Sequence, residues 1–483
     1  MIILGVFTLT FHIVYDKIKI IIFLFFEGEQ IMENLSFIPS YDKLHLWELY
    51  FEDLGTEYRQ CIEEGLDIEA YKELFEAVQK LPRGEEKKRL ADVIFDIVRC
   101  AKAKEGYKYN EPSTLDEIRA LRAPYPVEKR ELDDNTLYDK VLGAWVGRIC
   151  GCLLGKPIEG CWKEHIWEML RDNGNFPMTR YIHYNKFSDE LNAKYPWLKG
   201  RCFGDKVSYM PFDDDTNYMV LGQEVIKRYG RDFTPYNMAQ AWVSLQPKDS
   251  YCTAERVAFI NFVNGILPPA SAQHKNPYRE WIGAQIRGDY FGYINPQNPE
   301  LASDMAWRDA SISHIKNGIY GEMWASAMIA LSFSTDCLED IIKGGLAQIP
   351  STSRLYERVN AVIDWYKSGV SQEDCFKKIY EEWDDHNFHN WCHTISNAMI
   401  VTASLLYGEG DYGKSICMAV QAGFDTDCNG ATVGSIVGII NGAGGIGEEW
   451  TAPINDTLQT TIFGYTMVKI SDCAKKTLEH IEK

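Results

Sequence analysis

The sequence predicts an all-α fold, a compact helical bundle preceded by a small helical appendage. Three observations predict it. Glycines recur every fourth residue in two apolar segments, Gly143, Gly147, Gly151 and Gly155, and again Gly430, Gly434, Gly438 and Gly442. Elsewhere, apolar residues recur at helical spacing, and sustained strand alternation is scarce. Glycine inside a helix costs about 0.8–1.0 kcal/mol relative to alanine. Four per helix therefore demand compensation, which close approach of two backbones supplies. A membrane-packing face uses the same spacing, but Arg148, Lys156 and Glu159 interrupt the first segment, so buried helices of a globular protein are expected.

Taken in chain order, residues 1–26 are strongly apolar but broken by Asp16, Lys17 and Lys19. Neither uncharged stretch is long enough to span a bilayer, and no basic segment or small-residue cleavage site marks a signal peptide. Residues 1–31 are therefore expected to be an upstream mis-start, with Met32 the first residue of the working protein. Residues 32–127 form the appendage and a linker. Tyr71, Leu74, Phe75, Val78 and Leu81 make one apolar stripe, stopped by Pro82 and Gly84, and Leu90, Val93, Ile94, Ile97 and Val98 make another. No convincing chemistry lies there. Pro112, Pro124 and Pro126 surround Thr114-x-x-Glu117, a linker with one short helix. Residues 128–483 are the expected catalytic domain.

Composition limits the function classes. With 483 residues and 46% hydrophobic content, the chain can bury one large core. Its thirteen cysteines include no CxxC pair, which favours reduced thiols and a cytoplasmic location. A net charge of −19 without a basic run argues against nucleic-acid binding, and no membrane partner is expected.

The chemistry concentrates in two carboxylate clusters, Asp213-Asp214-Asp215-Thr216 and Asp425-Thr426-Asp427, each at the start of a helical segment. One Asp caps a helix, but three in a row cannot all cap one. Five like charges repel unless a cation neutralises them. Oxygen-only ligands suit magnesium, manganese or calcium. Asp425-x-Asp427-x-Asn429-Gly430 copies half of a calcium-binding EF-hand loop, yet position twelve is Ile436 where a bidentate Glu is needed. Gly442-Ala443-Gly444-Gly445-Ile446-Gly447 fits a dinucleotide fingerprint but follows a helix instead of a strand, so a helix-terminating loop is expected. His386, His389 and His393 crowd three of ten histidines into eight residues. On one helix they would share a side. Buried or interfacial roles rank first, then ligand contact, and zinc last.

These motifs resemble the ADP-ribosylglycohydrolase family. Gly151-Cys152-Leu153-Leu154-Gly155-Lys156-Pro157-Ile158-Glu159 is similar to the end of its Gly-rich helix. Asp213–Thr216 is similar to its first metal motif and Asp425–Cys428 to its second, within roughly residues 137–465. The resemblance implies an all-α hydrolase holding two divalent cations, Mg²⁺ or Mn²⁺, on Asp213, Asp214, Asp215, Asp425 and Asp427. It implies catalytic roles for Glu159 and Asp427, and substrate contacts from Gly283, Arg287 and His314, with Arg287 on a diphosphate. The implied reaction releases ADP-ribose from a modified protein or small molecule.

Three positions depart from the family pattern. Asp213 and Cys428 replace threonines, and Cys152 replaces an aspartate. Sulfur is a poor ligand for magnesium, so these changes bear on metal binding and rate more than on fold. They leave two other readings open: a degraded family member serving as a metal-stabilised binding or structural protein, and a hydrolase of other ribosides.

Overall fold

The computed structural model describes residues 40–482. The expected leader, 1–31, lies outside them. The fold is all-α, as the sequence predicts. Among the described residues the only strands are β1, Thr457–Gln459, and β2, Met467–Lys469, an antiparallel pair with Leu458 opposite Val468. Six helices position the site: α1 (Leu54–Glu63), α2 (Asp134–Gly155), α3 (Asp214–Tyr229), α4 (Thr253–Val263), α5 (Thr394–Gly408) and α6 (Thr426–Asn441).

Helices α2 and α6 run antiparallel through the middle of the main core. Their glycine runs face one another. A Cβ built on Gly143, Gly147 or Gly151 would land on the carbonyl oxygen of Gly438, Gly434 or Gly430, and the reverse holds for each partner. Backbone lies directly against backbone, which is the compensation the glycine penalty requires. The pairing also fixes the site, because its last step sets Gly155 against the Thr426–Asp427 peptide, while the Thr426 hydroxyl donates to the Gly155 carbonyl at 3.0 Å. The end of the Gly-rich helix and the start of the second acidic motif are thereby held together. Gly442 ends α6 with φ +69°, so the fingerprint-like run is a helix-terminating loop. Extended through Ile158, α2 is long and apolar enough to cross a membrane, but 83% of its apolar window is buried inside the protein.

Before α2, a second, smaller core gathers Leu49, Phe51, Leu54, Phe75, Val78 and Ile94. Only part of each expected stripe joins it. Tyr71, Leu74, Leu90 and Val93 face outward, because Lys87 and Ala91 share the inner face of the helix Glu85–Cys100 with Ile94 and Phe95. Buried polar contacts bind this small core to the main body. Arg279 pairs with Glu57 at 2.7 Å and Glu64 at 2.6 Å, and Gln60 donates to Glu280 at 2.6 Å. All thirteen cysteines are free thiols.

Candidate active site

The first acidic motif caps α3, and its three aspartates have separate fates. Asp213 is the cap itself. One oxygen accepts from the Asp215 N–H at 3.0 Å, and the other sits 2.5 Å from the Lys156 ammonium. Asp214, partly exposed, lines the pocket above the helix start. Asp215 is enclosed; Arg148 of α2 donates to one oxygen at 2.8 Å and also reaches Asp289 at 2.9 Å. The other Asp215 oxygen has no partner. In the sequence, Arg148 and Lys156 look like interruptions of an apolar run. In the fold they are the counter-ions of the first motif.

The second motif opens α6 without capping it: the Asp425 side chain makes no hydrogen bond to the helix. Asn397 of α5 holds the turn instead, accepting from the Asp425 N–H at 3.1 Å and the Asn429 amide at 2.8 Å. Both Asp425 and Asp427 are left with one buried, unpartnered oxygen. Ligand atoms of Asp425, Asp427 and Cys428 lie within 4.8 Å of one another, and so do those of Cys152, Asp213 and Asp215.

Burial, followed by the charge of neighbouring carboxylates, holds Asp214, Asp215, Asp425 and Asp427 well above the usual carboxylate range. Glu159 is raised for the same two reasons, Asp213 being the negative charge that raises it most. Asp213 alone is lowered: burial raises it, but the charge and hydrogen bond of Lys156, with the Asp215 N–H, together bring it down. Crowded carboxylates that resist ionising and keep buried, unpartnered oxygens are what a divalent-cation site requires. The donor set fits such an ion, with Cys152 and Cys428 as its soft members. Burial and the surrounding carboxylates push both thiols up, so neither offers a ready thiolate.

Glu159, Asp214, Asp425 and Cys428 line one pocket of about 230 Å³, together with Gly283, Glu255, Trp281 and Trp391. Arg287 is elsewhere. Its guanidinium is fully enclosed, donating to Asp309 at 3.0 Å, Glu255 at 2.9 Å, the Gly283 and Asp309 carbonyls and the Ser313 hydroxyl. No N–H remains for a diphosphate. Arg287 instead fixes Glu255 against the pocket wall, and Gly283 has no Cβ because one would strike that carboxylate. His314 lines a different cavity, of about 730 Å³, beside Pro268 and Trp307.

The three clustered histidines do not form one site. Asn387 caps a five-residue helix, Phe388–Cys392, which separates them. His386 is outside, 3.0 Å from Glu164. His389 and His393 lean toward Glu63 of α1, at 3.0 and 3.5 Å. A zinc ion there would need both Nε2 lone pairs. Yet the Trp281 indole N–H donates to Nδ1 of His389, and the Ile395 N–H to Nδ1 of His393. Each neutral ring must then carry its proton on Nε2. The pair is an interfacial contact, the first-ranked expectation.

Glu255 and Trp47 also line the pocket, outside both acidic motifs. An arginine as buried as Arg287 demands a nearby carboxylate, a signal for Glu255. Trp47 has no signal, because it comes from the N-terminal segment, far from the acidic motifs in sequence, and yet lines the pocket.

The ADP-ribosylglycohydrolase family profile matches residues 133–478. No curated protein matches the chain. Among solved structures, one described as an "ADP-ribosylglycohydrolase-related protein complex" is similar over 72% of this chain and 98% of its own, with 14% identity and a TM-score of 0.41. With both acidic motifs inside the matched span and gathered at one pocket, the chain belongs to the ADP-ribosylglycohydrolase family.

Proposed function

We propose that the protein is a divalent-metal-dependent hydrolase that cleaves the glycosidic bond of an ADP-ribosylated substrate and releases ADP-ribose. The observation that carries this reading is the set of unpartnered oxygens on Asp215, Asp425 and Asp427 beside a pocket lined by Glu159 and Asp214. Asp214, Asp215, Asp425 and Asp427 would hold two cations of the magnesium or manganese type, which when bound would neutralise the cluster and polarise ribose hydroxyls. Asp213, already serving Lys156 and the α3 cap, would contribute least.

Hydrolysis adds a water oxygen to the anomeric carbon and a proton to the leaving group. Glu159 is partly exposed at the pocket and has a raised pKa, which suits it to take the proton from that water and pass one on. Asp427 lies against Glu159 and would keep its carboxyl oriented. Residues 128–483 would form the catalytic domain. Free thiols throughout and the strong negative charge support a cytoplasmic protein that binds neither nucleic acid nor membrane.

Incubating full-length protein with ADP-ribosylated peptides and small molecules, with Mg²⁺ or Mn²⁺, tests the reading. Release of ADP-ribose that stops on chelation is expected. A second reading rests on Cys152 and Cys428 at the two acidic groups: a family member that binds metal for stability and turns nothing over. Metal-dependent stabilisation without any product would favour it.

A further inference from the structure

We infer that the N-terminal segment completes the substrate pocket and that Trp47 is a specificity-determining residue for a planar, uncharged heterocycle bonded to the ribose. The inference deepens the hydrolase reading and rests on it for the position of the ribose.

Trp47 lies outside the family-matched residues, in a short turn, Leu46–Glu48. The turn is anchored on both sides. Glu48 forms a close ion pair with Lys248, and the Arg256 guanidinium stands 5.1 Å from the Trp47 ring centre. Trp47 packs against the buried cluster that holds Trp281 and Trp391, and the three indoles line the same pocket as Glu159, Asp214 and Asp425. Phe388 extends that aromatic wall, stacked on Trp391 at 5.7 Å and 10° and edge-on to Trp281 at 5.4 Å.

Chemistry narrows the occupant. At about 230 Å³ the pocket falls below the roughly 300–1,000 Å³ of drug-sized sites, so it suits a ribose with one ring. No lysine or arginine lines it, so nothing in the wall selects an anion, and the diphosphate of an ADP-ribosyl group would lie outside this pocket. A guanidinium would need a free carboxylate, but Glu255 is held by Arg287, Asp214 and Asp425 belong to the proposed metal centre, and Glu159 is assigned to the hydrolytic water. A guanidinium also offers donors only. Among the wall's indoles, the Trp391 N–H has no protein partner, whereas that of Trp281 is taken by His389. A planar ring with an acceptor on its edge would stack on Trp47, the half-buried indole of the three, and accept from the Trp391 N–H.

The test uses full-length protein with Mn²⁺, as wild type, Trp47→Ala and Trp47→Phe. N-ribosyl purines and pyrimidines are compared with ADP-ribosyl-arginine and an ADP-ribosyl-serine peptide, by turnover and by calorimetric binding of the ribonucleosides. Trp47→Ala should raise KM or Kd for the ring ribosides about five- to tenfold, the worth of one aromatic contact. Trp47→Phe should restore most of it, and Mn²⁺ binding should not change. Ribonucleoside binding that depends on Trp47 in a protein without turnover would support the inference while defeating the hydrolase reading. Cleavage of the arginine or serine conjugate with ring ribosides ignored, or ribonucleoside affinity indifferent to Trp47, would overturn the inference and leave the hydrolase reading standing. Absence of both turnover and ribonucleoside binding would overturn both.

Discussion

The Lys156 ammonium lies 2.5 Å from the Asp213 carboxylate, and the other Asp213 oxygen caps α3. One member of the first acidic motif is thus neutralised within the chain, while Asp214 faces the pocket and Asp215 keeps a free oxygen. Asp213→Asn should therefore leave the stoichiometry of Mn²⁺ binding unchanged. It should cost about 1–3 kcal/mol of stability by stranding the Lys156 charge. Denaturant titration beside calorimetric metal titration checks both. Loss of a metal site in this variant would show that Asp213 is a ligand.

Helices α2 and α6 touch backbone to backbone. Gly434→Ala places a methyl group on the Gly147 carbonyl, and the helices must separate. A loss of at least about 1–3 kcal/mol is expected, readable as a lower denaturant midpoint. Turnover should fall as well, because the same packing holds Gly155 against Asp427. A variant as stable as wild type would mean the helices can part freely.

Glu280 joins the small N-terminal core to the main body through Gln60 and Arg354. Burial alone would raise its pKa, but Arg354, then His393, Lys316 and the Asn317 hydrogen bond, bring it down to about 2. A depressed carboxylate contributes stability that is complete above its unfolded pKa of about 4.3 and is lost as pH falls toward 2. Glu280→Gln should be several kcal/mol less stable at pH 7, with the gap to wild type narrowing between pH 5 and pH 3. Melting curves of the two proteins across that range decide it, and a constant gap would contradict the assignment.

The Cys428 sulfur lies within 4.8 Å of ligand oxygens of Asp425 and Asp427 and lines the pocket. Cys428→Thr exchanges a soft atom for a hydroxyl, so Mg²⁺ affinity should rise relative to Mn²⁺. Competition calorimetry measures the ratio. An unchanged ratio would place the sulfur outside the metal shell.

Much of the fold is legible in the sequence because glycine at every fourth position has few explanations, and the two runs explain each other. The acidic motifs are legible because adjacent aspartates are hard to reconcile with capping alone. Residues whose roles depend on three-dimensional partners are not. Arg287 next to glycines suggests an anion site, but the decision lies with Glu255, Asp309 and Glu322, which converge on it only in the fold. His386, His389 and His393 look like a helical triplet until Asn387 starts a helix between the first and the second. Trp47 belongs to a segment whose stripes suggest packing alone. Its place at the pocket is held by contacts between distant residues, Glu48 with Lys248 and Arg256 over the Trp47 ring, which no local pattern announces.

Calorimetric titration of Mn²⁺ into wild type, Asp425→Asn and Asp427→Asn tests the central claim most directly. Both residues carry a buried, unpartnered oxygen and a pKa raised by burial and by like charge. Each amide should abolish or greatly weaken at least one binding event. Each metal-free variant should also melt a few degrees above metal-free wild type, because one crowded charge is gone. Undiminished stoichiometry and affinity in both variants would contradict a metal centre built on these carboxylates.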